Sequence, residues 1–399
     1  MKNHGPLAGM KVIELAHIMA GPVCGLMLAD MGADVIKVEK PDGDDSRRFV
    51  PPQIEGESAA YMMMNRNKRG IALNLKDARA KDALHRLLEN ADVVIENYRM
   101  GTMERLGLGY DTLRAINPRL IYCEISGFGR TGPYATRGGF DLIAQGMSGL
   151  MSITGEGPGR PPVKTGAPVS DITAGILAAM GVSAAYARML QTGEGQKIDT
   201  SLFEAAITQT YWQSAIAFAT GVAPGPMGSA HPLNGPYQAF QTADGWINIG
   251  AANQRNWLRF LDVIGAPELN DDPRFASNYT RMQNLDALSD ILTTYLRKEK
   301  TRVWLERMEA AGLPAGPVLD ILEMHADPQA RARQMIVEVT HPRAGKVETL
   351  GHPIKFSETP AAIDRAAPTL GQHSREVLQE IGYDLKEIAD MITEGAVIA

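Results

Sequence analysis

Asp171 is the residue around which a chemical reading of this chain forms. It stands in Ala167-Pro168-Val169-Ser170-Asp171-Ile172-Thr173-Ala174-Gly175, ahead of Ala178, Ala179, Gly181, Ser183, Ala184 and Ala185. The run reads as a small-residue helix ending near Leu190. Such a helix packs close to its neighbours and is buried. Pro168 favours extended backbone before it. Ser170 or Asp171 then reads as an N-cap or first-turn residue. Local pattern leaves two roles open for Asp171. It is a cap worth about 1 kcal/mol, or a catalytic carboxylate kept ionised by the helix dipole.

A second carboxylate, Asp141, lies in the mixed glycine and apolar run Gly138 to Gly149, where a lone charge needs a partner. His17 precedes a glycine turn and reads either as a hydrogen-bonded structural histidine or as a ligand contact. Asn97-Tyr98-Arg99 with Arg105 offers an aromatic face and two guanidiniums, which suit a purine with phosphates or a solvated surface. Asn67-Lys68-Arg69-Gly70 is a basic turn of the same ambiguity. Arg47, Arg48 and Arg137 are either contacts for a carboxylate or surface charges. No G-x-S-x-G elbow and no Cys–His pairing argue for a hydrolase, and no Cys/His cluster has metal-ligand spacing.

These side chains need elements to position them. Lys11–Ala16 reads as a buried strand, His17–Pro22 as a turn, Val23–Met31 as a helix and Ala33–Glu39 as a second strand. This is a βαβ unit without the G-x-G-x-x-G fingerprint of a dinucleotide site. Strands at Ile71–Leu75, Asp92–Tyr98 and Leu120–Ser126 alternate with helices at Ala78–Asn90 and Asp111–Asn117, which predicts a mostly parallel sheet covered on both faces. Ligands of such sheets bind beyond the carboxyl ends of the strands. After the Asp171 helix come a strand at Gln196–Thr200 and a long helix at Leu202–Thr220. Gly221–Pro236 reads as a linker. A hairpin, Tyr237–Thr242 with Trp246–Gly250, and helices at Gln254–Gly265, Arg281–Lys298 and Thr301–Ala311 make a smaller α+β unit. A helix at Pro328–Gln334, strands at Ile336–Thr340 and Lys346–Leu350 and a helix at Ser374–Ile381 close the chain. The expected division is residues 1–220, a linker 221–236, a small domain 237–325, and 326–399 returning to the first.

The totals agree with a globular protein of two domains: 399 residues, 44% hydrophobic and 22% charged. A formal net charge of -6 gives no general nucleic-acid signature. Cys24 and Cys123 fall in apolar runs and read as core thiols of a reducing compartment. The N-terminus lacks an apolar leader core, and no run approaches the roughly 20 apolar residues of a membrane span. The expected location is cytoplasmic, with no membrane or nucleic-acid partner.

Taken together the chain resembles the class III CoA-transferases, the family of formyl-CoA and carnitine CoA-transferases, related in fold to the α-methylacyl-CoA racemases. The resemblance is carried by Gly9–Glu14 with His17–Pro22, Gly32–Glu39, Asn67–Arg69, Val94–Tyr98, Gly138–Gly149, Ser170–Gly175 and Gly351–Ser357, in that order along nearly the whole chain. It implies an α/β fold: a Rossmann-like large domain built from both chain ends, an inserted smaller α+β domain, and an interlocked homodimer. It matches Asp171 to the family's catalytic aspartate, reversing the local preference for a cap. It matches His17, Ile18, Ala20, Lys40, Leu73, Asn97, Tyr98, Arg105 and Gly138 to positions lining the CoA site. Met19, Phe140 and Asp141 become site neighbours. The substrates implied are an acyl-CoA and a small carboxylic or dicarboxylic acid, with CoA as substrate and neither a metal nor a tightly bound cofactor.

The chemistry implied is covalent: Asp171 takes the donor acyl group as an anhydride, then CoA as a thioester. Phe140 stands where the racemases carry an acid/base histidine, which argues against racemisation. Met19 replaces the glutamine of formyl-CoA transferase, and the loop around Asn234-Gly235-Pro236 lacks that enzyme's glycine run, which argues against formyl-CoA and oxalate. The alternatives are a 2-methylacyl-CoA racemase and a CoA-binding protein without catalysis.

Overall fold

The computed structural model describes residues 5–399; Met1–His4, part of the stretch read for a leader, lie outside the described residues. The chain divides into two compact units. One comprises the chain up to Ser148, Thr165–Gln209 and everything from Pro328; the other comprises Gly149–Lys164 and Thr210–Asp327. Residues 149–164 and 210–236 thus go with the second unit rather than with a first domain and a linker.

The first unit is organised by one sheet. Its strands are β1 (Lys11–Glu14), β2 (Asp34–Glu39), β3 (Arg69–Leu73), β4 (Val93–Glu96), β5 (Ile121–Ser126), β6 (Lys197–Ser201) and β7 (Val397–Ile398). The order across the sheet is β7-β3-β2-β1-β4-β5-β6. All neighbours are parallel except β7, which pairs antiparallel with β3 through Val397–Leu73 and Ile398–Ala72. The parallel six follow the 3-2-1-4-5-6 order of the doubly wound fold, whose switch point lies between the first and fourth strands. Both faces are covered, which is why the strands read as continuous apolar runs. Ile13, Ile36 and Val94 pack on one face with Leu84, Leu87 and Val377. Val12, Val35 and Ile95 pack on the other with Leu28, Ala178 and Val182.

Helix α1 (Ala20–Asp30) begins three residues before the expected Val23. Pro22 lies inside its first turn, where the missing N–H has no helical partner to lose. Helix α2 (Ala78–Glu89) covers the opposite face. Helices α3 (Asp141–Met147) and α4 (Val169–Thr192) carry the two candidate carboxylates. Gly193 ends α4 in the left-handed conformation. By length and composition α4 is apolar enough to cross a membrane, with a mean hydropathy of 1.3 over 18 residues, which corrects the expectation that no run approaches such a length. Alanine and glycine raise that score. They also let the helix close on α1: a Cβ on Gly175 would stand 2.6 Å from the Ala20 carbonyl oxygen and 2.7 Å from the Val23 side chain.

The second unit has its own core of Phe240, Ile247, Trp257, Phe260, Leu292 and Trp304. The expected hairpin forms and gains a third strand, Ala315–Pro317, from the loop after helix Thr301–Ala310. Two long helices expected from the pattern are broken. Leu202–Thr220 is Leu202–Ile207, a tight turn at Thr208–Thr210 and Tyr211–Thr220. The Thr208 hydroxyl donates to the Ala205 carbonyl there, a side-chain bond that competes with helix continuation. Arg281–Lys298 is Asn278–Gln283 and Leu285–Leu296, divided at Asn284. Helix Leu385–Thr393 was missed, although Asp384 and Glu387 form a capping box at its start.

Candidate active site

The cleft lies in the first unit, beyond the carboxyl ends of β1, β4 and β5, and has a volume of about 500 Å³. His17, Ile18, Met19, Ala20, Asn97, Tyr98, Arg105, Gly138, Phe140 and Asp171 all line it. These residues come from five separate stretches of sequence. Most reach the cleft because a strand ends or a helix begins there, while Arg105 closes the short helix Thr102–Arg105.

The turn between β1 and α1 forms one wall. Asn97, just past β4, grips it from both sides: the His17 N–H donates to Asn97 Oδ1 at 2.9 Å, and Asn97 Nδ2 donates to the His17 carbonyl at 2.8 Å. Asn97 therefore spends its amide on the backbone across the switch point. The His17 ring meets Tyr98 edge to face, with centroids 5.6 Å apart, and burial lowers the pKa of its imidazole. Ile18 has φ 67, a left-handed conformation that costs a β-branched residue roughly 1–3 kcal/mol. Helix α1 starts at the cleft with no side-chain cap and no acidic residue in its first turn, which leaves its positive end uncompensated.

Asp171 is the third residue of α4, not its N-cap; Pro168 holds the cap position and supplies no side-chain bond. The start of α4 is held by another element instead. Asp141, first residue of α3, accepts from the Ser170 N–H at 2.9 Å through Oδ1 and from Gln145 Nε2 at 2.7 Å through Oδ2. Gln145 Oε1 accepts in turn from the Thr165 backbone at 3.0 Å. Asp141 does not line the cleft; it supports the residue before Asp171. The Asp171 carboxylate accepts no hydrogen bond among the described residues, and burial, with the nearby Asp141 charge second, pushes its pKa up to about 7. A half-buried carboxylate without a cation or a donor is poorly stabilised as an anion. A carboxylate so placed is a candidate nucleophile.

Four guanidiniums stand around the cleft: Arg99, Arg105, Arg130 and Arg137. The Arg105 guanidinium makes one hydrogen bond among the described residues, to Thr102 Oγ1 at 2.9 Å. Arg137 lies over the Tyr134 ring at 4.1 Å. Arg130 was missed in the sequence. Its Nη2 donates to Glu96 Oε1 at 2.7 Å and to the Tyr98 carbonyl at 3.0 Å, tying the end of β5 to the end of β4. The signal available was a strand end, Glu96, carrying a charge opposite an arginine after the next strand end.

Four expected residues fall elsewhere. Leu73 is 1% exposed inside the sheet, paired with Val397, and lines no part of the cleft. Lys40 is exposed and reaches the cleft only through its ion pair with Asp45, at 2.8 Å. Arg47 is committed to Glu39, with two bonds of 2.7 Å, and to the Tyr61 ring and hydroxyl. Arg48 is an exposed partner of Asp45.

Comparison with known proteins gives a consistent result. Residues 7–374 match the family model described as CoA-transferase family III. The chain is 42% identical over 383 residues to a succinate–glutarate CoA-transferase of Agrobacterium fabrum, covering 94% of this chain and 96% of that one. It is 39% identical over 382 residues to an acetyl-CoA:oxalate CoA-transferase of Acetobacter aceti, covering 95% and 96%. Among solved structures it is similar to a CAIB/BAIF family protein from Brucella suis, with a TM-score of 0.84 and 39% identity over 95% of this chain and 100% of that one.

Proposed function

This chain belongs to CoA-transferase family III, and from that premise we propose how it moves CoA between carboxylic acids. The enzyme is a CoA-transferase acting on dicarboxylic acids. In our reading the donor is an acyl-CoA of the succinyl class and the acceptor is a short dicarboxylate. Glutarate and succinate come first, following the Agrobacterium fabrum relative. The Acetobacter aceti relative is named for oxalate, so the departures from the formyl-CoA transferase pattern do not set oxalate aside.

The observation that carries the mechanism is the unpartnered Asp171 carboxylate in the cleft. Its oxygen attacks the thioester carbonyl of the donor and CoA leaves as the thiolate, giving a mixed anhydride. The thiolate attacks the aspartyl carbonyl and expels the donor acid, giving an aspartyl-CoA thioester. The acceptor carboxylate attacks that thioester and expels the thiolate, giving a second mixed anhydride; the thiolate then attacks the acceptor's acyl carbonyl and frees the Asp171 carboxylate. Bonds of like energy are exchanged, so the sequence needs no metal and no tightly bound cofactor. Desolvation raises the nucleophilicity of the ionised carboxylate. The uncompensated start of α1 suits the anionic tetrahedral states. Arg99, Arg105 and Arg137 suit the phosphates of CoA, with Tyr98 beside the adenine.

Apolar side chains left in water support a homodimer. In the first unit Phe140 is 71% exposed and Met180 63%. In the second unit, helix Tyr211–Thr220 has no buried residue. The family's interlocked dimer, with the second unit as an inserted domain, would cover such surfaces. We place the enzyme in the cytoplasm, acting without membrane or nucleic acid.

The test is mass spectrometry after incubation with succinyl-CoA and glutarate, with a hydroxylamine quench. A hydroxamate on Asp171 is expected. Transfer that proceeds with no adduct there, or that survives in Asp171→Ala, refutes the covalent route.

A further inference from the structure

The backbone that turns from β1 into α1 is held from beneath at four points. Lys37 Nζ donates to the Ala16 carbonyl at 2.9 Å. Asn97 takes both polar groups of His17. The Ile18 N–H donates to the two oxygens of Asp44 at 3.1 and 3.3 Å. Lys68 Nζ donates to the Pro22 carbonyl at 2.9 Å. Three of these four anchors belong to a single buried ionic chain. Lys68 meets Glu14 at 2.8 Å, Glu14 meets Lys37 at 3.1 Å, and Lys37 meets Asp44 at 2.8 Å. Lys68, Glu14 and Lys37 are wholly buried and Asp44 nearly so.

Two cations and two anions cancel, so the chain carries no net charge into the core. Buried ion pairs add little stability over apolar side chains of the same volume, and stabilisation alone does not account for four charged residues here. Their common target does. Dinucleotide-binding folds place glycines at this turn because the backbone must bend tightly. Here Ile18 takes the left-handed conformation, and the anchor on its N–H is Asp44. Asp44 is itself fixed by Lys37 and by the Ser46 N–H and hydroxyl, both at 2.8 Å.

We propose that Asp44 is a positioning residue: held by Lys37, it keeps Ile18 left-handed and so fixes the wall formed by His17, Ile18 and Met19 against the CoA thioester. Asp44 does not line the cleft and touches no reacting atom. The inference rests on the reading of the cleft as the CoA site.

The experiment is a double-mutant cycle read by calorimetric titration with CoA and by KM and kcat for succinyl-CoA. Asp44→Asn weakens CoA binding about tenfold and raises KM, while kcat at saturation changes far less. Ile18→Gly in that background restores most of the binding, because glycine holds the positive φ without an anchor. In the wild-type background Ile18→Gly brings no gain. Additive effects, or Asp44→Asn binding CoA like the wild type, overturn the proposal while leaving the CoA site intact. If Asp44→Asn alone does not fold, a folded, CoA-binding double variant supports the proposal and an unfolded one overturns it. Wild-type protein that binds no CoA overturns this proposal together with the reading of the cleft.

Discussion

Asp44 and Asp171 belong to the same unit, and their surroundings drive them in opposite directions. Burial disfavours the charge on both. At Asp44 the Lys37 ammonium, at 2.8 Å, more than offsets burial and holds the carboxyl far below its usual range. Lys37 is in turn held above the ordinary lysine range by Glu14 and Asp44, against its own burial. At Asp171 no cation answers, and the charge that bears on it is another carboxylate. One cluster closes its own charge and can only position. The other leaves its charge open and can react. Burial alone does not separate a scaffold from a nucleophile; the sign of the neighbour does.

The largest effect expected from this contrast is at Asp171 itself. Asp171→Ala lowers kcat for transfer by about 10⁴-fold or more, the scale of losing a covalent nucleophile, and steady-state assays of both directions measure it. Stability should move the other way. A carboxyl with a raised folded-state pKa contributes stability below its unfolded value near 3.8, and that contribution is lost as pH rises through about 7. Asp171→Asn is therefore more stable than the wild type at pH 8, by roughly 1–3 kcal/mol after solvent screening is allowed for, and nearly equal to it near pH 4. Denaturant melts at the two pH values decide it; equal gaps at both would mean that the charge is not what Asp171 costs the fold.

The same contrast predicts a pH–rate profile. As the proposed nucleophile Asp171 must be ionised, so kcat/KM is expected to rise about tenfold per pH unit below its pKa and to level off above about 7. A limb near pH 4 would make Asp171 an ordinary carboxylate and break the contrast. Smaller again is Arg105→Gln. It removes a cleft guanidinium with one intramolecular hydrogen bond, so KM for the CoA ester should rise roughly tenfold with kcat unchanged.

The sequence made the contrast only half legible. Parallel strands, their alternation with helices and the small-residue helix behind Asp171 are local patterns, and each formed within a few residues of its expected place. Asp171 itself was readable as a first-turn residue, but its lack of a partner is a property of three-dimensional neighbours. The scaffold cluster left a trace that went unread: Glu14 and Lys37 are charges inside strands whose neighbours are all apolar, and such charges require partners. The start of α1 was misplaced because Gly21-Pro22 reads as a turn, whereas proline in a first turn is compatible with a helix. Leu73 is absent from the cleft lining for a different reason. In a strand buried on both faces, correspondence of position does not put a side chain in a cleft.

The finest discrimination concerns Asp141, which is both a charge near Asp171 and a hydrogen-bond acceptor for Ser170 and Gln145. Asp141→Asn removes the charge and keeps the bond to Ser170, but it turns an amide group toward the Gln145 amide. Gln145 cannot rotate freely, because its Oε1 already accepts from the Thr165 N–H. Two effects are then mixed: a fall in the Asp171 pKa, and a loss of stability of about 1–3 kcal/mol from unsatisfied donors. The double variant Asp141→Asn with Gln145→Glu separates them. The exchanged pair again has one donor and one acceptor at the contact, and the new carboxylate still accepts from the Thr165 N–H. Stability should recover in the double variant. The limb of the pH–rate profile should remain below that of the wild type, because the negative charge now sits on the residue behind Asp141. Recovery of both would mean that Asp141 acts on Asp171 only by holding Ser170 in place. Recovery of stability alone assigns the like-charge contribution to Asp141 and completes the contrast with Lys37, since the neighbouring charge would then add to the effect of burial at Asp171 and oppose it at Asp44.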